Sequence, residues 1–174
     1  MSAILEGSDA PRPGALHDFQ ALSFCEQLLL WSLRSWLQAM YGPVALHTVV
    51  REAFSRVEAD KAYLAFDHLA SVISVSSRRP ILIHCPGCRG VGEDELLFLG
   101  LIAEVQKDDV PAAFMNLAEW LVPAGVRAAM PALTEFAMQL TAAGLVVRSW
   151  EEIRLCPVLR PAPRPNHAAS RRLH

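Results

Sequence analysis

Apolar side chains recur every three to four residues along most of this chain, which is the spacing of one helix face. The pattern is clearest at 46–57, 114–121 and 133–140. It predicts six helices, at about 16–41, 43–59, 60–73, 93–106, 109–121 and 127–143. We therefore expect a mostly α, single-domain bundle of about six helices, in which helix exceeds half of the residues.

Several of these helix ends carry residues that favour a start or a stop. Asp60 is the expected N-cap of the third helix and Asp108 or Asp109 that of the fifth, with Pro111 in the first turn of the fifth helix. Pro131 is expected in or near the first turn of the sixth helix. Gly144, which precedes an apolar residue, is the expected left-handed residue that ends it.

Strand-forming chemistry is concentrated near the C-terminal end. The stretches 145–150 and 153–156 are apolar and β-branched, and 149–152 could turn between them, which allows a small C-terminal β-hairpin. Any sheet should therefore be confined to about 145–159. Residues 81–83 also include two β-branched isoleucines, but so short a run without a partner does not make a sheet, and we expect it to be extended.

Composition and charge narrow the class of protein. The 174 residues suffice for one domain with a sizeable core, and 52% apolar against 20% charged residues is typical of a globular chain. The net charge of −2 excludes a global field that attracts nucleic acid. Residues 1–15 are predicted to be a flexible leader, 16–156 the helical domain, and 157–174 a basic, Pro- and Arg-rich tail.

The cellular location follows from what the sequence lacks. The first residues do not show the charged and apolar regions of a signal peptide, and the longest apolar run, 96–103, is far shorter than the about 20 residues of a membrane span. We therefore expect a cytoplasmic bacterial protein with no membrane contact. In that compartment its four cysteines would be thiols or metal ligands rather than disulfides.

The first predicted helix is apolar almost all round and carries Trp31 and Trp36. Such a helix is either central in the core or part of an interface. Both indoles could be core residues, which is the commoner case, but Trp is also enriched in protein interfaces. Because one face cannot hide this much apolar surface, we predict a homodimer or a stable protein partner that contacts part of this helix.

The segment Cys85-Pro-Gly-Cys88 is the most unusual stretch of the chain. Two thiolates at this spacing can bind one tetrahedral metal ion, and a structural zinc site needs four ligands. His84 and Cys156 are the candidates that would complete a zinc site. Cys25 is a weaker candidate, because it lies in the apolar stripe of the first helix, where a lone Cys is usually a core residue.

A redox function is the alternative for the same cysteines. The order of an apolar run, a Cys-x-x-Cys pair and a helix resembles the thioredoxin motif. Residues 89–92 separate the cysteine pair from the helix, however, and the alternating strands and helices of that fold are missing.

The acidic residues Glu93, Asp94 and Glu95 are best interpreted as an ordinary helix start, since carboxylates suit the positive end of a helix dipole. No motif of a common enzyme class occurs, so we expect no catalytic residues and no cofactor other than zinc.

The C-terminal third allows a DNA-binding interpretation. Apolar residues at 117–121 and 133–140, followed by Ala-Gly-Leu-Val-Val at 143–147, resemble the rhythm of a winged helix-turn-helix over about 109–158. The turn at 122–125 is longer than in that family, and the presumed recognition helix has almost no side chain that could contact a base or a phosphate. Weak, non-specific nucleic-acid binding through the tail is what the pattern allows, and its basic residues are Arg160, Arg164, Arg171 and Arg172.

Taken together, these features favour a non-enzymatic interaction or regulatory protein of the adaptor type, acting through a helical surface. A structural zinc at the Cys-Pro-Gly-Cys segment would be compatible with that function. The alternatives are a DNA-associated transcriptional regulator with a degenerate winged helix and a thiol-redox or metal-sensing protein.

Overall fold

The computed structural model of the protein describes residues 17–41 and 45–154. Within these ranges it contains α1 (Phe24–Tyr41), α2 (Ala45–Arg56), α3 (Asp60–Ser76), α4 (Glu93–Gln106), α5 (Val110–Trp120), α6 (Pro123–Ala142) and α7 (Trp150–Arg154). The predicted mostly α, single-domain bundle is confirmed, and helix exceeds half of the described residues. The predicted leader (1–15) and tail (157–174) lie outside the described residues.

The core is built around α4 and the pair α3 and α6. Helices α3 and α6 pack against each other more extensively than any other pair, and α6 also packs on α4. The rings of Phe54, Phe66 and Phe136 join α2, α3 and α6, with centroids 5.6 to 6.1 Å apart. Helix α4 is buried on most sides, so it is the central helix of the bundle.

Helix α1 begins later than predicted because a capping box fixes its start. Glu26 Oε2 accepts the backbone N–H of Ser23 at 2.8 Å, and Ser23 Oγ accepts the backbone N–H of Glu26 at 3.3 Å. Upstream of this cap, the chain forms β1 (His17–Asp18) and one turn of 3₁₀ helix (Phe19–Ala21).

The small sheet does not lie where the sequence suggested. It pairs β1 with β2 (Gly90–Val91) in antiparallel register, His17 opposite Val91. In the described part of the C-terminal region, 145–149 form no strand and 150–154 are helical, so the predicted C-terminal hairpin was wrong there. A second capping box explains this, since Glu152 Oε2 accepts the backbone N–H of Ser149 at 2.7 Å and so starts α7.

The helix-end predictions had mixed outcomes. Asp109 caps α5 by accepting the N–H of Ala112, as predicted, whereas the N-cap of α3 is Ala59 and Asp60 is its first residue. Helix α6 begins at Pro123, so Pro131 lies inside it and not in its first turn. Proline fits the first position because the N–H it lacks has no partner inside the helix there.

The C-terminal end of α6 was predicted correctly. Gly144 has a φ of 72°. Its N–H donates to Thr141 O at 3.0 Å, and the N–H of Leu145 donates to Leu140 O at 2.8 Å, which is the Schellman arrangement.

The residues at the end of α3 and those just before α6 lie side by side and are hydrogen-bonded, and we call this place the pinch. There Ser77 forms a β-bridge with Leu121, the N–H of Arg78 donates to Trp120 O at 2.7 Å, and the N–H of Val122 donates to Ser76 O at 3.0 Å. The residues between the pinch and α4, 77–92, form the α3–α4 loop. This loop contains the Cys-Pro-Gly-Cys segment and one wall of the candidate site.

Candidate functional site

A fully buried ion pair lies under the α3–α4 loop. Arg34 of α1 and Glu95 of α4 have no exposed side-chain surface, and Arg34 Nε donates to Glu95 Oε1 at 2.6 Å while Nη2 donates to Oε2 at 2.9 Å. The same guanidinium donates to the carbonyl oxygens of Cys88 and Gly90, both at 2.8 Å. It also lies over the ring of Phe19, 4.9 Å from the centroid. One arginine therefore holds the end of the loop to two helices.

Glu95 holds the other parts of the same loop. Its carboxylate accepts the backbone N–H groups of His84 and Gly92, and His84 Nδ1 lies 2.9 Å from Oε2. Burial acts to raise the pKa of Glu95, but the hydrogen bonds from His84 and Arg34 outweigh it and hold that pKa below its ordinary value. Glu95 therefore stays ionised, and the loop is fastened on both sides of the cysteine pair.

Asp94, the neighbouring carboxylate, fixes the start of the loop. It accepts two hydrogen bonds from the Arg79 guanidinium, at 3.0 and 2.5 Å, one from the N–H of Leu82 at 2.8 Å and one from the Trp120 indole at 3.2 Å. The sequence suggested that Glu93, Asp94 and Glu95 form an ordinary acidic helix start. Of the three, only Glu93 is exposed to solvent, as such a residue would be. Asp94 and Glu95 are buried anchors, which the sequence interpretation missed.

Cys85 and Cys88 are joined by a disulfide, with their Cα atoms 5.2 Å apart. The expectation that these two cysteines are thiols or metal ligands was therefore wrong for this structure. Since the ring spans only three positions of sequence, loop-closure entropy contributes about 2 kcal/mol or less to stability. Cys25 is a free thiol buried in α1, and its burial, followed by the charge of Glu26, raises its pKa to about 12.

The predicted zinc site is not assembled in this form of the chain. A disulfide offers no thiolate, and among the described residues no group of three or more His, Cys, Asp or Glu side chains could hold a metal ion. Cys156 lies outside the described residues, so the set of Cys85, Cys88, His84 and Cys156 stays a prediction for the reduced chain.

A cavity of about 490 Å³ lies between α1, α3, the start of the α3–α4 loop, Phe98 of α4 and the C-terminal end of α5. This volume is within the range of about 300–1,000 Å³ in which proteins bind small groups. Its apolar lining comprises Leu33, Trp36, Leu37, Met40, Ala70, Ile73, Val75, Pro80, Ile81, Ile83, Phe98 and Trp120. Its polar lining comprises Ser74, Ser77, Arg78 and Arg79.

The mouth of the cavity has both apolar and cationic surface. Met40 and Val75, which both line the cavity, are 48% and 66% exposed. Arg79 is paired with Asp94. Arg78 is exposed, and within the described part of the chain its guanidinium makes no salt bridge. The mouth of the cavity therefore presents exposed apolar side chains beside the positive charge of Arg78.

The structure separates the two predicted interface tryptophans. Trp36 is 3% exposed, lines the cavity, and its indole N–H donates to Asp67 Oδ1 at 2.7 Å. Trp31 is partly buried against the core and does not line the cavity. Most of the apolar surface of α1 is thus buried within the protein. A partner could contact Trp36 only by entering the cavity.

The region that resembles a winged helix is dominated by core packing. Helix α6 buries Leu133, Phe136 and Leu140 against its neighbours, and only Leu121 and Val122 lie between α5 and α6. The predicted tail contacts Arg160, Arg164, Arg171 and Arg172 lie outside the described residues.

Comparison of the chain with protein-family models, with curated proteins and with solved structures finds no significant match. None of the described helices is both long and apolar enough to span a membrane.

Proposed function

We propose that this chain is a non-enzymatic interaction protein of the adaptor or regulatory type, in the bacterial cytoplasm, and that it binds a protein partner at the cavity. The partner would insert a large apolar side chain between α1, α3 and the α3–α4 loop. The observation that carries this proposal is an apolar cavity of about 490 Å³ whose mouth is extended by exposed apolar residues.

The exposed rim favours a protein over a small molecule. A small ligand would be enclosed by the cavity walls, and the exposed side chains of Met40 and Val75 would add little to its binding. A partner segment would cover them, and an aromatic or aliphatic anchor in a well-formed pocket is the usual centre of such an interface. Arg78 would then favour an acidic residue next to the anchor.

The charged groups near the cavity support binding more than catalysis. The two carboxylates, Asp94 and Glu95, are both engaged by arginines and by backbone N–H groups. An acid–base catalyst needs a carboxyl that can exchange a proton with its substrate. These two are used to hold the loop, so they fix the shape of the cavity wall.

The proposal can be tested by selection from a random peptide library displayed on phage. The wild-type protein is the target, and a Ser74→Trp variant, which fills the cavity mouth, is the counter-target. Ser74 lines the cavity and is only partly buried, so the new side chain can enter the mouth without entering the core. Leu64→Trp is the matched control, because Leu64 is on the same helix but 68% exposed and outside the cavity.

The expected peptides share one large apolar residue with an acidic neighbour. They should bind the Leu64→Trp protein like wild type and the Ser74→Trp protein at least about tenfold more weakly, which is about 1.4 kcal/mol of binding energy. Peptides that do not distinguish these proteins, or no enrichment at all, would contradict the proposed site.

Charge reversal at the mouth tests the second part of the proposal. Arg78→Glu should weaken binding of the selected acidic peptides, mainly through slower association, whereas Arg127→Glu, at an exposed position of α6, should not. Self-association of the wild type that Ser74→Trp abolishes would instead identify the partner as a second copy of this chain.

A further inference from the structure

We infer that the Cys85–Cys88 disulfide is a reversible thiol-exchange site, at which a protein or small-molecule dithiol reduces the pair to two thiols. The site is separate from the cavity, and the inference does not depend on the proposed binding function. It rests on two features of the loop: its accessibility and its anchoring by contacts other than the disulfide.

The cysteine pair is accessible to an attacking thiol. Both cysteines are only partly buried, and Gly87 between them is exposed. A Cβ placed on Gly87 would meet no atom within 4 Å, so there is open space beside the turn. Cys25, in contrast, is 6% exposed and has a pKa raised to about 12, so it should not react under the same conditions.

The loop is held in place without the disulfide. Arg34 binds the carbonyl oxygens of Cys88 and Gly90, and Glu95 binds the N–H groups of His84 and Gly92. Both ends of the Cys-Pro-Gly-Cys turn are therefore fixed by the same buried ion pair. Opening the bond would leave the two cysteines close together, which is what a reversible pair requires.

The proposed reaction balances in two steps. One thiolate of the dithiol attacks a sulfur of the Cys85–Cys88 bond, which forms a mixed disulfide and releases the other cysteine as a thiolate. The second thiol of the reductant, once deprotonated, attacks the mixed disulfide and releases the remaining cysteine. Two electrons pass to the pair, its sulfurs take up two protons, and the reductant leaves as a disulfide.

The test uses the full chain with Cys156→Ser, so that only three cysteines remain. The protein is equilibrated with mixtures of reduced and oxidised glutathione, a monothiol probe that reacts by the same exchange, then quenched with an alkylating agent and mapped by peptide mass spectrometry. We expect Cys85 and Cys88 to become alkylated together, to a fraction set by the square of the reduced glutathione concentration divided by the oxidised glutathione concentration. The fraction should be the same from either direction, with Cys25 unmodified until the protein is denatured.

Three results would overturn the inference. One is a bond that stays oxidised in every mixture until the protein unfolds, because structural disulfides resist the glutathione pool in this way. Another is a pair that never forms a disulfide, or that keeps glutathione on one cysteine without release by the other. The third is a Cys85→Ser, Cys88→Ser double variant that loses its cooperative unfolding transition, because the bond would then be structural.

Discussion

The strongest test of the fold near the site is the substitution Glu95→Gln. Glu95 is fully buried and accepts hydrogen bonds from Arg34, His84 and Gly92. Glutamine keeps the shape of the side chain but removes its charge, so it leaves the Arg34 guanidinium buried without a counter-charge. Breaking a buried ion pair from one side costs about 3–5 kcal/mol.

That loss is large relative to the whole stability of a domain, which is about 5–15 kcal/mol. For a chain of this length each kcal/mol lowers the melting temperature by about 2–4 °C, so the expected decrease is about 6–20 °C. Circular dichroism during heating and urea unfolding should both show it. Glu93→Gln is the matched control, because Glu93 is the exposed carboxylate in the same helical turn.

A double variant separates the charge effect from lost packing. In Arg34→Met with Glu95→Gln, no buried charge is left unpaired, so the double variant should lose less stability than the sum of the two single variants. The reasoning is refuted if Glu95→Gln changes stability by no more than Glu93→Gln does, within the about 0.5 kcal/mol typical of surface substitutions. Simple additivity of the two single variants would refute the pairing.

Two further predictions concern helix packing and pH. Gly125→Ala should destabilise the protein by about 1–3 kcal/mol, because the new Cβ would collide with the side chain of Ser76 in α3; Ser76→Gly in the same chain should restore most of the loss in urea unfolding. Glu26 is buried, which acts to raise its pKa, but its hydrogen bonds with Arg148 and the backbone hold that pKa below the ordinary 4.5. Its contribution to stability is therefore complete above pH 4.5 and is lost as the pH falls through the lower folded-state pKa. Arg148→Met should lower the melting temperature at neutral pH and reduce its fall below pH 4.5; an unchanged pH profile would contradict this assignment.

Helices with strong local signals were predictable from the sequence. The cap at Asp109 and the ending at Gly144 appear as expected, because each depends on a side chain or backbone preference within a few residues. The two errors at the start of α1 and at α7 have one cause. Ser-x-x-Glu occurs at 23–26, 55–58 and 149–152. The first and last copies are capping boxes, whereas the copy at 55–58 lies at the end of α2, so the motif alone does not identify a helix start.

The buried charges could not be placed from the sequence. Arg34 and Glu95 are 61 positions apart, and no local pattern states which arginine meets which carboxylate. The first turn of α4 carries three acidic residues, and only the tertiary fold makes one of them an exposed helix-start residue and two of them anchors. The available signal was one arginine within an otherwise uncharged stretch of α1, where burial of the guanidinium is costly unless an opposite charge lies beside it.

The pinch has a consequence for the order in which the chain folds. Helices α3 and α6 make the most extensive contact of the molecule, yet the whole segment between Ser77 and Leu121 separates them in sequence. Contacts between neighbours in sequence, such as α1 with α2 and α4 with α5, close short loops and form early. Closing the long segment is entropically costly until α3 and α6 dock, and the bridge at Ser77 can form only then. We therefore expect the pinch to appear at the slow step of folding, after both halves of the chain have gained helix.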